Sequence, residues 1–316
     1  MARIALALLK RLGGMAIVLA LVVTVVFIIV RVTPGDPAAV MLGSDATPED
    51  VAQLRSRMGL DAPMIVQYGQ FVLGILQGDL GQSIFLDQPV TTALAARAEP
   101  TFFLTLFSIL IAVAIALPVG ILSAVKRGTI FDQIVVTLTM VAASVPSFWL
   151  GLMLIQFFAV GQGWFPASGY GGPETPFLER LHHLVLPAVA LGIVNSALIT
   201  RFTRAAMLDV LGDDYVRTAR AKGAGEGRVV LKHALKNAMI PIITVIGLSI
   251  AMLVAGAVVT ETVFGLPGVG NLVVSAVLRR DYPVIQGALL VVAAIYVLIN
   301  FIVDMLYILV DPRVRL

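Results

Sequence analysis

Few side chains in this sequence could do chemistry inside an apolar phase. Within its long hydrophobic stretches the main ionisable groups are Glu261, at the end of the fifth stretch, and Asp304, near the end of the sixth. Charge at mid-membrane is costly and is kept for proton relays, ion sites or intramembrane hydrolysis. Asp304, by its depth, reads instead as an interfacial or interhelical partner. Asn195, Ser196, Thr200 and Asn300 read as interhelical hydrogen-bonding groups. The histidines, His182, His183 and His233, form no HExxH pair, so the adjacent pair is interfacial and not a metal site. The absence of cysteine removes disulfides, thiol catalysis and thiolate ligands. No GxxxxGK[ST] phosphate loop is present, so the chain is not an ATPase by that route. Gly265, Gly268 and Gly270 in FGLPGVGN lack the strand–turn–helix setting of a nucleotide loop and read as a tight re-entry turn beside Pro267.

One long segment between two apolar stretches is strongly basic. Residues 214–241 carry Arg217, Arg220, Lys222, Arg228, Lys232 and Lys236 against Asp214 and Glu226. Asp213 or Asp214 can cap a helix, residues 215–222 can form about two turns, and Gly223 supplies the left-handed position that stops it. A second helix is expected from about Glu226, breaking at Pro241 before it enters the fifth span. Ala219 and Ala221 would let another protein approach the backbone closely. Such a helix, held between two spans, is a rigid knob suited to docking; contact with anionic headgroups is the simpler use of the same charges.

The elements that position this knob follow from composition. Hydrophobic residues make up 59% of the chain and charged residues 13%, about half the charged share of soluble domains. The chain is therefore read as an all-α integral membrane protein. About 20 apolar residues cross a bilayer, and six stretches qualify: 12–32, 101–123, 134–158, 186–204, 240–262 and 286–309. The first follows Lys10 and Arg11 like a signal peptide, but it continues to Val30 and meets Arg31, Thr33, Pro34 and Gly35, with no small-residue cleavage site. It is expected to be a retained helix.

Basic residues orient the spans. With both termini cytoplasmic, Arg3, Lys10, Arg11, Lys126, Arg127, Arg201, Arg204, Arg313, Arg315 and the basic loop lie inside. Arg31, Arg55, Arg57, Arg97, Arg180, Arg279 and Arg280 lie outside. The domains expected are a first helix at 1–33, an external segment at 34–100, and a membrane domain at 96–311 containing a cytoplasmic loop at 205–239. In the external segment Thr47-Pro48-Glu49-Asp50 starts a short helix that Gly59 ends. A second begins near Pro63 and runs to Gly78, with a greasy stripe through Ile65, Tyr68, Phe71, Val72, Ile75 and Leu76 for the bilayer or the bundle.

The segment DYVRTARAKG resembles the cytoplasmic "EAA" loop of ABC-importer permease subunits. Arg217-Thr218-Ala219 occupies the Glu-Ala-Ala positions and Gly223 is the glycine; Arg217 replaces the glutamate, and Lys236 the downstream proline, with Pro241 five residues later. This spelling is typical of the dipeptide/oligopeptide/nickel class. TPGDPA at 33–38, GLDAP and QYGQF at 59–71, GDLGQS at 78–83, SVPSFWLGLML at 144–154, LPAVALG at 186–192 and ETVFGLPGVGNLVVSAVLRRDYPVIQG at 261–287 are similar to the same class. The long external segment resembles that of its B-type permease.

The resemblance implies a type I importer permease fold of six transmembrane helices. It also implies a second homologous permease subunit, two ABC ATPases carrying ATP and magnesium, a periplasmic solute-binding protein, and an inner-membrane location. No cofactor on this chain, no catalytic residue and no nucleic-acid partner is implied. Tyr215, Arg217, Thr218, Ala219, Ala221 and Gly223 would form the ATPase-coupling loop. The runner-up, a stand-alone secondary carrier or channel, would need coupling charges or a broken-helix ion site, which the spans scarcely supply.

Overall fold

A computed structural model describes residues 2–32, 37–42, 46–57, 59–172 and 174–310. Residues 33–36, together with Arg313 and Arg315, lie outside them. Among the described residues every regular element is helical, apart from an isolated bridge between Gln82 and Pro89. The chain divides into two compact units, one of residues 1–99 and 271–298, the other of residues 100–270 and 299–316.

In the first unit, α1 (Ala2–Val32) is followed by the short helices α2 (Pro37–Leu42) and α3 (Pro48–Arg57) and by α4 (Met64–Leu76). The start of α3 is a reciprocal capping box. The Asp50 amide donates to Thr47 Oγ1 (3.2 Å), and the Thr47 amide donates back to Asp50 Oδ2 (3.3 Å). Gly59 then takes a positive φ of 65°. The stripe on α4 packs on α1: Tyr68 and Phe71 lie 5.3 and 5.7 Å from Phe27, the Tyr68 hydroxyl is 2.8 Å from Thr24 Oγ1, and Arg31 Nε donates to Gln67 (2.9 Å). Ile65 and Leu76, on the same helix, stay exposed. Elsewhere in this unit the buried carboxylate of Asp281 accepts from Ser83 Oγ (2.6 Å) and from the Ile84 amide (3.3 Å), sewing the GDLGQS loop to the start of α14 (Tyr282–Val310).

The second unit is built on α9 (Val185–Leu211) and α12 (Leu235–Val263), which pack against each other over much of their length. The membrane-crossing stretches Arg11–Val32, Val90–Val125, Val185–Leu211, Glu226–Val263 and Tyr282–Tyr307 coincide with five of the six expected spans. The third expected span, 134–158, is not a continuous helix. It is split into α6 (Ile130–Ser144) and α7 (Ser147–Leu154), the latter continuing as a π-helical stretch, Ile155–Gly161, and the two parts bend by 95°. Pro146 is the cause: it has no amide to continue the ladder and it drives Val145 to extended geometry, φ −83° and ψ 123°.

The reverse correction applies at Pro241. No break occurs there; α12 runs through it, and the irregularity lies upstream, where α11 (Glu226–Arg228) passes into a π-helical turn, Val229–Ala234. Within a span a proline forfeits one hydrogen bond, which neighbouring helices help absorb. The polar groups of α9 also differ from expectation. Asn195, Ser196 and Thr200 bond to carbonyls of their own helix, at Leu191, Ile193 and Ser196. Interhelical polar bonds come from other residues, such as Tyr307 to Thr244 at 2.7 Å.

One end of α12 is a polar keystone. Glu261 is fully buried and accepts from Thr101 Oγ1 at 2.5 Å, while the Val269 amide donates to that same hydroxyl at 2.9 Å. The Leu266 amide returns to the Glu261 carbonyl (2.8 Å), so residues 261–269 close as a tight turn beside Pro267. A Cβ at Gly268 would overlap the Glu261 carboxylate. The glycines of FGLPGVGN thus admit a buried acid, not a phosphate.

Candidate coupling segment

At the other end of α12 lies the basic loop. Leu211 ends α9, Gly212 and Asp213 turn the chain, and α10 spans Asp214–Ala221. Asp213 occupies the N-cap position, but its carbonyl does the capping, accepting from the amides of Val216 (3.1 Å) and Arg217 (3.3 Å); its side chain makes no capping bond. Asp214 sits in the first turn, where the helix dipole favours an acid. At the far end Gly223 has φ +81°, the Ala224 amide donates to the Ala219 carbonyl (3.2 Å) and the Gly223 amide to Arg220 (2.9 Å). That pair of bonds is a Schellman stop. A Cβ at Gly223 would meet nothing within 4 Å, so backbone conformation alone calls for glycine there.

Two anchors fix α10 to the helices beneath it. Val216 is fully buried. Tyr215 donates its hydroxyl to the His233 carbonyl (3.3 Å) and accepts from Asn237 Nδ2 (2.7 Å). Arg220 and Glu226 close the following loop with a forked pair at 2.8 and 3.3 Å. Arg217 reaches Asp214 at only 3.4 Å with both side chains largely in solvent, a contact of little energy.

Of the residues singled out in the sequence, Tyr215, Thr218, Ala219 and Gly223 line one open groove of about 390 Å³, together with Lys222, Arg228 and His233. Arg217 and Ala221 are exposed on α10 but do not line that groove. The sequence reading missed Val216 and Asn237 as anchors. The first was legible as the one branched aliphatic residue of DYVRTARA; the second, 22 positions from Tyr215, was not. It also missed the role of Asp132, whose carboxylate receives Arg204 Nε and Nη2 at 2.7 Å each, across α6 and α9.

With this geometry in view, likeness to known proteins can be placed on it. Residues 116–316 match the family described as binding-protein-dependent transport system inner membrane component, and residues 4–97 match its N-terminal companion. The dipeptide transport system permease protein DppB of Escherichia coli K12 is 41% identical, with 97% of this chain and 98% of that protein covered. DppB of Alkalihalophilus pseudofirmus is 42% identical over 92% and 93%, and the di/tripeptide permease DppB of Pseudomonas aeruginosa 43% identical over 92% of each. Among solved structures, inward-facing forms of the MetNI methionine ABC transporter align with TM-scores of 0.55 and 0.57 at 23% and 22% identity, over 69% of this chain and 96% of theirs, which supports the fold. The N-terminal match takes in the α1–α4 region, and the inner membrane component match takes in the α9–α12 pair with α10 between them: the chain belongs to the binding-protein-dependent transport system inner membrane component family and is a multi-pass permease of an ABC importer.

Proposed function

We propose that this chain takes up di- and oligopeptides or a closely related small solute, forming half of the pathway with a second homologous permease. Two ATPase subunits drive it and an external solute-binding protein delivers cargo. Both termini face the cytoplasm, which puts α10 on the side where ATP is available. ATP and magnesium belong to the ATPases, and this chain binds neither.

The observation that carries the reading is α10 itself. It is an eight-residue helix stopped at both ends, anchored on Val216 and Tyr215, and otherwise presented to solvent. A partner that grips such a helix displaces α9 and α12 directly, because a rigid lever transmits motion that a floppy loop would dissipate. The dipeptide and di/tripeptide transport for which the DppB relatives are named supports the solute class.

Reconstitution tests it. Liposomes holding this chain, its partner permease, both ATPases and the binding protein should accumulate alanyl-alanine only with ATP. This chain alone should accumulate none. ATP-driven uptake by the chain alone, or ion-driven uptake without ATPases, would establish the stand-alone carrier instead.

A further inference from the structure

We propose that the Asp132–Arg204 pair is the positioning element that makes α5 (Val90–Val125), α6 and α9 move as one body with α10; this rests on the docking role proposed above. Asp132 is almost fully buried and collects four donors. They are Arg204 Nε and Nη2 at 2.7 Å each, Ser123 Oγ at 2.5 Å and the Gly128 amide at 2.9 Å. Those donors come from α9, from α5 and from the turn that joins α5 to α6. One carboxylate thus ties three helices together.

Its position along α9 gives the tie a use. Arg204 lies seven residues before the end of α9, about 10 Å along the axis, and only Gly212 and Asp213 separate α9 from α10. Beside the pair, α5 and α9 touch backbone to side chain: a Cβ at Gly120 would fall 2.9 Å from the Thr200 carbonyl and 2.8 Å from Thr203. Ala124, Ala206 and Met207 then carry the packing on to Ala234, Ala238 and Ile242 beneath α10.

Stability alone is a weak reason for this pair. Well-packed apolar residues commonly stabilise as well as a buried ion pair, because two charges must first be desolvated. The fork adds direction: two parallel N–H···O bonds fix the orientation of one helix against another, where apolar side chains can slide. Displacement entering at α10 therefore reaches α5 and α6 without slip.

The test uses the complete transporter with binding protein in liposomes, reading alanyl-alanine uptake and ATP hydrolysis on the same vesicles. Asp132→Asn keeps the shape and removes the charge; Arg204→Lys keeps the charge and removes the fork. Both should raise ATP hydrolysed per dipeptide by roughly fivefold or more, the low end of usual couplings between sites, with complexes recovered in normal amount. The chain has no cysteine, so spin labels at Arg127→Cys and Asp209→Cys, both exposed positions, can follow the tie directly. Their narrow distance distribution should broaden in either variant. An unchanged ratio overturns the proposal. So does a parallel loss of uptake, hydrolysis and recovered complex in both variants, which would make the pair a folding element. Unsubstituted complex that shows no ATP-driven uptake at all would overturn the function beneath it.

Discussion

At one end of α12 the eight residues of α10 leave all but Val216 and Ala219 exposed, and Asp214 and Arg217 pair loosely in solvent. At the other end Glu261, Phe264 and Leu266 are all at or near zero exposure, and the Gly169 amide bonds the Phe264 carbonyl at 2.8 Å. Both ends are tight turns punctuated by a positive-φ glycine, Gly223 and Gly265. They differ in what would be lost by disturbing them. Of its own residues α10 gives only Val216 to the core, so damage there should reduce work per molecule. The Glu261 end is core, so damage there should reduce the number of molecules.

The sharpest way to break that contrast is Val216→Asp. It places a carboxylate in a site with no exposure, at a cost of about 3 kcal/mol or more if it stays charged and unpaired. Because α10 is peripheral, the cost should fall on its packing against the turn Val229–Ala234 and not on the whole fold. ATP-driven uptake should vanish while the amount of permease in the membrane, measured by immunoblot, stays within about twofold.

Gly268→Val is the complementary test at the buried end. Its side chain would collide with the Glu261 carboxylate, and overpacking of this kind costs about 1–3 kcal/mol. Membrane abundance should fall, and uptake should fall with it, leaving uptake per molecule near normal. A variant that accumulates fully yet transports nothing would make the two ends alike.

Gly223→Val is a smaller perturbation. The site has room for a side chain, so the strain is conformational, of order 1 kcal/mol or more for a β-branched residue at positive φ. Uptake should drop with abundance unchanged. Equal loss of both would place the glycine in folding.

Arg217 gives the finest distinction. In the first turn of α10 a cation opposes the helix dipole by some tenths of a kcal/mol, and its ion-pair partner Asp214 is 3.4 Å away in solvent. If Arg217 donates a fork to a protein groove, Arg217→Lys and Arg217→Glu should both raise ATP hydrolysed per solute. If Lys behaves as the unsubstituted protein and only Glu fails, general electrostatics accounts for the residue.

The stop of α10 was legible in the sequence because such signals are local: Gly223 acts within a few positions of itself, whereas the side-chain cap expected of Asp213 or Asp214 is not made at the N-cap position. The capping box of Thr47 and Asp50 was legible for the same reason. Pro146 was equally local, but a long run of apolar residues around it concealed the break in the third span. Pro241 misled in the other direction, since a span flanked by helices tolerates what an isolated helix would not. The polar joints were not legible at all. Asp132 and Arg204 are 72 positions apart, and Thr101 and Glu261 are 160 apart. Each looks like a stray polar residue until the fold brings its partner within reach.

The central claim is that α10 is gripped by an ATPase. Single cysteines placed at Arg217 and at Ala221, in a chain that has none of its own, report this directly through their rate of alkylation in membranes. With the ATPase subunits present, both should react at least about tenfold more slowly, the factor that about 1.4 kcal/mol of protection gives. A cysteine at exposed Leu278, outside α10, should be unaffected. Alkylation at Arg217 and Ala221 that proceeds at the same rate with and without assembled ATPases would contradict the account.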